Sequence, residues 1–207
     1  MTTKKQKTAV EFETVAADKP KGWQYNRTLA TVLIVLAVVF AVVFGVNKGV
    51  RAQYRRITEA YAEGLDNSGY GLQYYEQRME EHASNLCKIA GKSKYDAAFQ
   101  QEAKAVTQAS FVLSNAVTAG EKYDALQQLI DAVDALNLEM ADGGLEDADE
   151  ELRQAEYQNF SDGFYKARNI SAAYNDLVRR YNDEVLGSFP AGALQDLLNL
   201  PEAEEFS

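Results

Sequence analysis

The stretch EKYDALQQLIDAVDALNLEM, residues 121–140, decides the fold class. Tyr123, Leu126, Leu129, Ile130, Val133, Leu136 and Met140 recur at intervals of three and four, which draws one apolar stripe along one face of an α-helix. Gly143-Gly144 ends it. Downstream, the acids Glu146, Asp147, Asp149, Glu150 and Glu151 open a second long helix, where carboxylates meet the positive end of the helix dipole. Its stripe runs Phe160, Phe164, Ala167, Tyr174, Leu177, Val178, Tyr181, Val185. Upstream, Leu72, Tyr75, Met79, His82, Leu86 and Ile89 mark a helix stopped at Gly91, and Tyr95, Phe99, Val106, Leu113 and Val117 mark another stopped near Gly120. Prolines stand only at 20, 190 and 201, so Lys21 to Phe189 contains none, which disfavours a sheet-and-turn protein.

The reading is all-α: about four helices joined by short loops, in an antiparallel up-and-down bundle over 72–190, with residues 191–207 as a C-terminal tail. A two-stranded coiled coil is the competing arrangement, but four successive stripes can satisfy each other within one chain. The stretch Gly64 to Gly71, with Asn67, Ser68 and Gly69, reads as a hinge closing a juxtamembrane segment, 47–71.

The first part of the chain is of another kind. Thr28 to Val46, TLATVLIVLAVVFAVVFGV, holds no charge and no proline, and as a helix it reaches roughly 28 Å, enough to cross a bilayer once. A buried core helix would seldom lack a polar face for five turns. Trp23 and Tyr25 precede it, where interfacial aromatics belong. The long leader, the long apolar run and the absence of a small-x-small site after Val46 argue for an uncleaved anchor over a signal peptide. Sidedness is finely balanced. Nearest the span, Lys48, Arg51, Arg55 and Arg56 outnumber Lys19, Lys21 and Arg27, which favours a cytoplasmic bundle. Against this, the whole tail 1–27 is cationic, with Lys4, Lys5, Lys7, Lys19, Lys21 and Arg27 over Glu11, Glu13 and Asp18, while the remainder is strongly acidic. Export of such a tail is disfavoured, so the reading taken is a single-pass cell-membrane protein with its bundle outside the cytoplasm.

Composition excludes a good deal. A net charge of -10 repels a phosphate backbone, so no nucleic-acid partner is expected. One Cys, Cys87, cannot form an internal disulfide, and one His, His82, cannot supply any motif that needs two, carboxylate-bridged di-metal bundles included. No phosphate-cradling glycine loop and no nucleophile elbow is present. His82 lies within an apolar stripe, where packing is the plainer role, and Cys87 is five residues away, off the helical contact spacing. The acidic run Asp142 to Glu151 lacks the order of a calcium loop and is better explained as a solvated helix start. The 12 Tyr and 9 Phe fall mostly on inward stripes, which makes them core before they are a ligand groove. No catalytic, metal or cofactor residue is expected.

The last fifth of the chain carries a pattern. Ala172-Ala173-Tyr174-Asn175-Asp176-Leu177-Val178-Arg179-Arg180-Tyr181-Asn182, then Phe189-Pro190 and a closing Phe206, resembles the terminal signature of the LemA family: two Tyr-Asn pairs seven apart, a Phe-Pro and a late aromatic. Seven-residue spacing sets both pairs on one helical face. Each Tyr then packs inward while its Asn can bond neighbouring chain, and Phe-Pro ends the helix and sends the tail back across the bundle. Family members also carry a Q-R-R-x-D-L-I-P-N-L-V block on the first bundle helix. Here Gln77 to Cys87 keeps Gln77, Arg78, Asn85 and Leu86 of it, with Ser84 in place of the proline and His82 in place of a leucine, as in a divergent member. The resemblance implies the anchor, the bundle and a structural role for Tyr174, Asn175, Val178, Tyr181, Asn182, Phe189, Pro190 and Phe206. It implies no ligand site: the family consists of bacterial single-pass envelope proteins without an agreed activity.

Two functions follow as expectations. The first is a non-enzymatic, membrane-anchored bundle that presents a surface to protein partners at the cell envelope. The second is a ligand-sensing or signalling bundle acting across the membrane through the anchor.

Overall fold

The computed structural model describes residues 27–66, 68–92, 95 and 97–207; the tail before Arg27, with Trp23 and Tyr25, and the hinge residue Asn67 lie outside the described residues. The elements are α1 Arg27–Glu63, α2 Leu72–Ala90, α3 Ala97–Asn115, α4 Ala119–Asp142, α5 Asp147–Arg180, a π-helical turn Tyr181–Leu186, and α6 Ala191–Leu198, with no strand among the described residues. The chain forms two units, Met1–Val42 and Val43–Ser207.

Of the first unit the described part is the start of α1. Leu33, Ile34, Val35, Leu36, Val38 and Phe40 are all exposed, so no protein core claims these apolar side chains. α1 is the one described helix long and apolar enough to cross a membrane.

The second unit is the bundle. Paired residues give its registers directly. Met79 lies against Gly163, His82 bonds Glu156 and Lys92 bonds Asp149, so numbers rise along α2 as they fall along α5 and the two helices are antiparallel. Asn137 with Arg153 and Asp134 with Tyr157 set α4 antiparallel to α5 in the same way. Tyr54 against Tyr181 and Tyr61 against Tyr174 do so for α1 and the end of α5 with the π-helical turn that continues it. Most positions of the stripes read from the sequence face the shared core: Leu72, Met79, Leu86, Phe99, Val106, Leu126, Leu129, Val133, Leu136, Met140, Phe160 and Val178 are all fully buried, whereas Val117 lies past the end of α3 and is 84% exposed.

Three boundaries differ from expectation. The bundle starts upstream of Leu72, because Val50 and Ile57 of α1 are buried in it. What reads as a hinge is a closed turn: Gly64 and Gly69 take positive φ, and Gly71 abuts the Tyr61 and Ala62 backbone so closely that a Cβ would collide with it. Gly120 does not stop a helix. α3 ends at Asn115, and Thr118 with Glu121 form a capping box that starts α4, with Glu121 N–H donating to Thr118 Oγ1 at 3.3 Å and Thr118 N–H to a Glu121 carboxylate oxygen at 3.1 Å. The tail 191–207 lies back across the bundle, bonded to Asn175 and Asn182. It holds α6 and buries Ala191, Leu200, Ala203 and Phe206.

Candidate functional site

α5 and the π-helical turn after it carry the residues that organise the C-terminus. Because a heptad brings a helix face round nearly to the same direction, Tyr174-Asn175 and Tyr181-Asn182 both project toward the non-helical segment that follows α6. The Asn175 side-chain amide donates to the carbonyl of Phe206 at 3.0 Å and accepts from its N–H at 2.7 Å. One heptad on, the Asn182 amide does the same to Ala203, at 2.8 and 3.2 Å. Each asparagine thus offers one residue of passing chain the donor and acceptor a neighbouring β-strand would offer.

The spacing has a metric reason. Seven residues of α-helix rise about 10.5 Å, and three residues of extended chain, the step from Ala203 to Phe206, cover about 10 Å. That near match lets the two asparagines, seven apart, meet residues three apart in the segment. The tyrosines clamp the same segment: Tyr181 donates its hydroxyl to the carbonyl of Pro201 at 2.5 Å, and Tyr174 to that of Glu204 at 3.4 Å. Phe206 is buried, with ring centroids 5.4 Å from Tyr123 and 6.0 Å from Tyr61, both edge-on.

Beneath the clamp lies a buried charge. Glu76 of α2 is 5% exposed, accepts from the Tyr61 hydroxyl and lies 3.6 Å from the Lys122 ammonium, which sits 4.9 Å over the Tyr61 ring. Burial first, and then the Glu76 charge, push the Tyr61 phenol well above its ordinary range. Burial likewise raises Tyr174 and Tyr181 to about 12, helped in both by neighbouring Tyr54. A cleft of about 310 Å³ opens beside them, lined by Tyr54, Tyr61, Tyr174, Lys122, Glu202 and Glu204 among others.

The remaining candidates fall elsewhere. Val178 is fully buried in α5 and belongs to the core. Phe189, joined to Pro190 by a cis bond, is 88% exposed, so it is no part of the seam that Tyr174 and Tyr181 form. Its turn leads into α6 and leaves the ring outside the bundle. His82 is buried and bonds Glu156 at 2.7 Å, while Asn85 donates to the same carboxylate oxygen at 3.1 Å. Burial raises Glu156, but those bonds, with the charges of His82 and Arg78, outweigh it and hold the carboxyl below its usual range. Cys87 points instead at the Ala103 carbonyl, 3.5 Å away, and burial pushes its thiol up, which makes it a poor nucleophile. The acidic start of α5 is only partly solvated: Asp149 is buried and accepts from Lys92 and, at 2.5 Å, from Tyr95. Gln77 and Arg78 are exposed, and Leu86 is in the core.

Sequence reasoning missed Glu76, Lys122, Tyr61 and Arg153, whose roles come from partners on other helices. The capping box at Thr118 was legible as T-x-x-E. No family model, curated protein or solved structure matches this chain.

Proposed function

We propose that the chain is a LemA-type, single-pass membrane protein of the bacterial envelope, a non-enzymatic bundle that presents a protein-interaction surface outside the cytoplasm. The observation that carries the reading is the double Tyr-Asn clamp. It gives each residue of both Tyr-Asn pairs in the LemA-like terminal pattern a defined structural job and uses none of them for chemistry. The exposed apolar start of α1 supports the anchor. The polar side chains inside the bundle pair with one another, as Glu76 does with Tyr61 and Lys122 and His82 with Glu156, an arrangement that serves structure. Surface presentation leaves the outer faces of α3 and α5, with exposed Phe111, Leu152 and Tyr165, for partners.

The test is crosslinking in intact cells followed by capture of the full chain from gently solubilised membranes. A partner recovered in stoichiometric amount, and lost when Phe111 and Tyr165 are both changed to Ser, is the expected result. Recovery of the chain alone would contradict the reading.

A further inference from the structure

The far side of the clamp segment contains an apolar surface that the bundle does not use. Phe189 is 88% exposed and Leu197, on α6, is 75% exposed, although α6 itself, AGALQDLL, has a single charged residue, Asp196. In a water-facing turn and a two-turn helix these side chains have no packing role, since Ala191 and Leu200 already supply the contacts that seat this region on the core.

Its place in the fold says what covers it. Along α1 and α5, Tyr61 lies opposite Tyr174 and Tyr54 opposite Tyr181, seven residues for seven. Past Tyr181 the chain continues in the same sense, away from Tyr61 and toward the Arg51 end of the bundle's own part of α1. Arg51 fixes α6 at that level, donating to the carbonyls of Leu198 and Asn199 at 3.4 and 3.3 Å. Val46 is also where the apolar run that begins at Thr28 ends. The exposed Phe and Leu therefore lie where the chain passes from hydrocarbon-compatible to water-compatible sequence.

We propose that Phe189 and the outer face of α6 form a second lipid contact, lying in the headgroup and upper acyl region of the bilayer that α1 crosses. The inference rests on the membrane-span reading given above. Its electrostatics come from the α1 side: Lys48, Arg51, Arg55 and Arg56 are exposed, and among the described residues Arg51 and Arg56 bond neutral oxygens, those of Asn47, Leu198, Asn199 and Gln53. Such a cluster attracts anionic headgroups, whereas the nearby exposed acids Asp183, Glu184 and Asp196 oppose it, so apolar insertion of Phe189 and Leu197 carries the contact and the arginines orient it.

The test uses the full chain. Trp23 is the one tryptophan, so a Trp23→Phe background allows single reporters at Phe189→Trp, at Val38→Trp within the apolar run, and at Leu152→Trp, exposed near the start of α5 and roughly 45 Å along it from Tyr181. Each is reconstituted into vesicles of phosphatidylcholine and phosphatidylglycerol with or without brominated acyl chains, and helicity is checked by circular dichroism. The proposal expects a roughly twofold loss of emission at Phe189→Trp and at Val38→Trp, with Leu152→Trp unchanged. Quenching at Val38→Trp but not at Phe189→Trp overturns the second contact and leaves the span. No quenching at Val38→Trp overturns the span and the contact with it. Equal quenching at Leu152→Trp overturns the contact as a specific one, since the whole bundle then adsorbs.

Discussion

At the scale of single residues, the clamp and the turn beside it predict opposite outcomes for side chains of similar size. Tyr181 is buried and hydrogen-bonded to Pro201, so Tyr181→Ala should cost about 3 kcal/mol, as core aromatic truncations do. Asn175→Ala removes both partners of the buried Phe206 peptide groups and should cost about 2–3 kcal/mol, because an unsatisfied buried donor and acceptor each keep their desolvation penalty. Phe189→Ala should change stability in detergent by less than about 0.5 kcal/mol, the usual range for an exposed site. Urea unfolding of the three variants in detergent micelles checks all of this. Sequence separates Tyr181 from Phe189 poorly: both are aromatics of one terminal pattern, and only the fold shows the first ring buried and the second outside.

At the scale of elements, glycines show where helices approach too closely for a side chain. Gly143, just past α4, abuts the ring of Phe99, which is 1% exposed and cannot swing away, and Gly71 abuts backbone of α1. Gly163 on α5 meets Met79 closely, at 2.9 Å from Cγ, a flexible side chain that can shift, and the Tyr75 backbone only at 4.0 Å. Gly143→Ala and Gly71→Ala should therefore each destabilise by about 2–3 kcal/mol, and Gly163→Ala by about 1 kcal/mol, measured by the same unfolding experiment. The sequence shows why these elements form but not how they meet. Stripes at three and four locate α2 to α5, since burying an amphipathic face dictates that spacing. They say nothing of the second half of α1, whose sparse core contacts, Val50 and Ile57, sit one heptad apart amid arginines. They also pass over α6, which is too short to draw a stripe. The Tyr-Asn heptad is legible as a pattern, and its partner is not, because a step of three along the tail matches it only once the tail is known to be non-helical.

For the whole molecule, the clamp ties its stability to pH at the alkaline end. Burial raises Tyr174 and Tyr181 to about 12, and Tyr61 further, while the same phenols in an unfolded chain ionise near 10. A folded-state value above the unfolded one means that the folded chain holds more protons between the two. The stabilisation is therefore complete below about pH 10 and is lost as pH rises from there toward 12. The urea midpoint should stay level from pH 7 to about 9.5 and then fall, and Tyr181→Phe, which has no phenol to ionise, should fall less steeply.

The central claim is that an anchored bundle stands outside the cytoplasm, and side-specific labelling tests it most directly. With Cys87 changed to Ser and one new cysteine at the exposed Asp142, intact cells are treated with a membrane-impermeant maleimide, with lysed cells as control. The account predicts labelling of Asp142→Cys in intact cells, equal to that after lysis. Labelling only after lysis would place the bundle in the cytoplasm with its cationic tail exported, and would contradict the account.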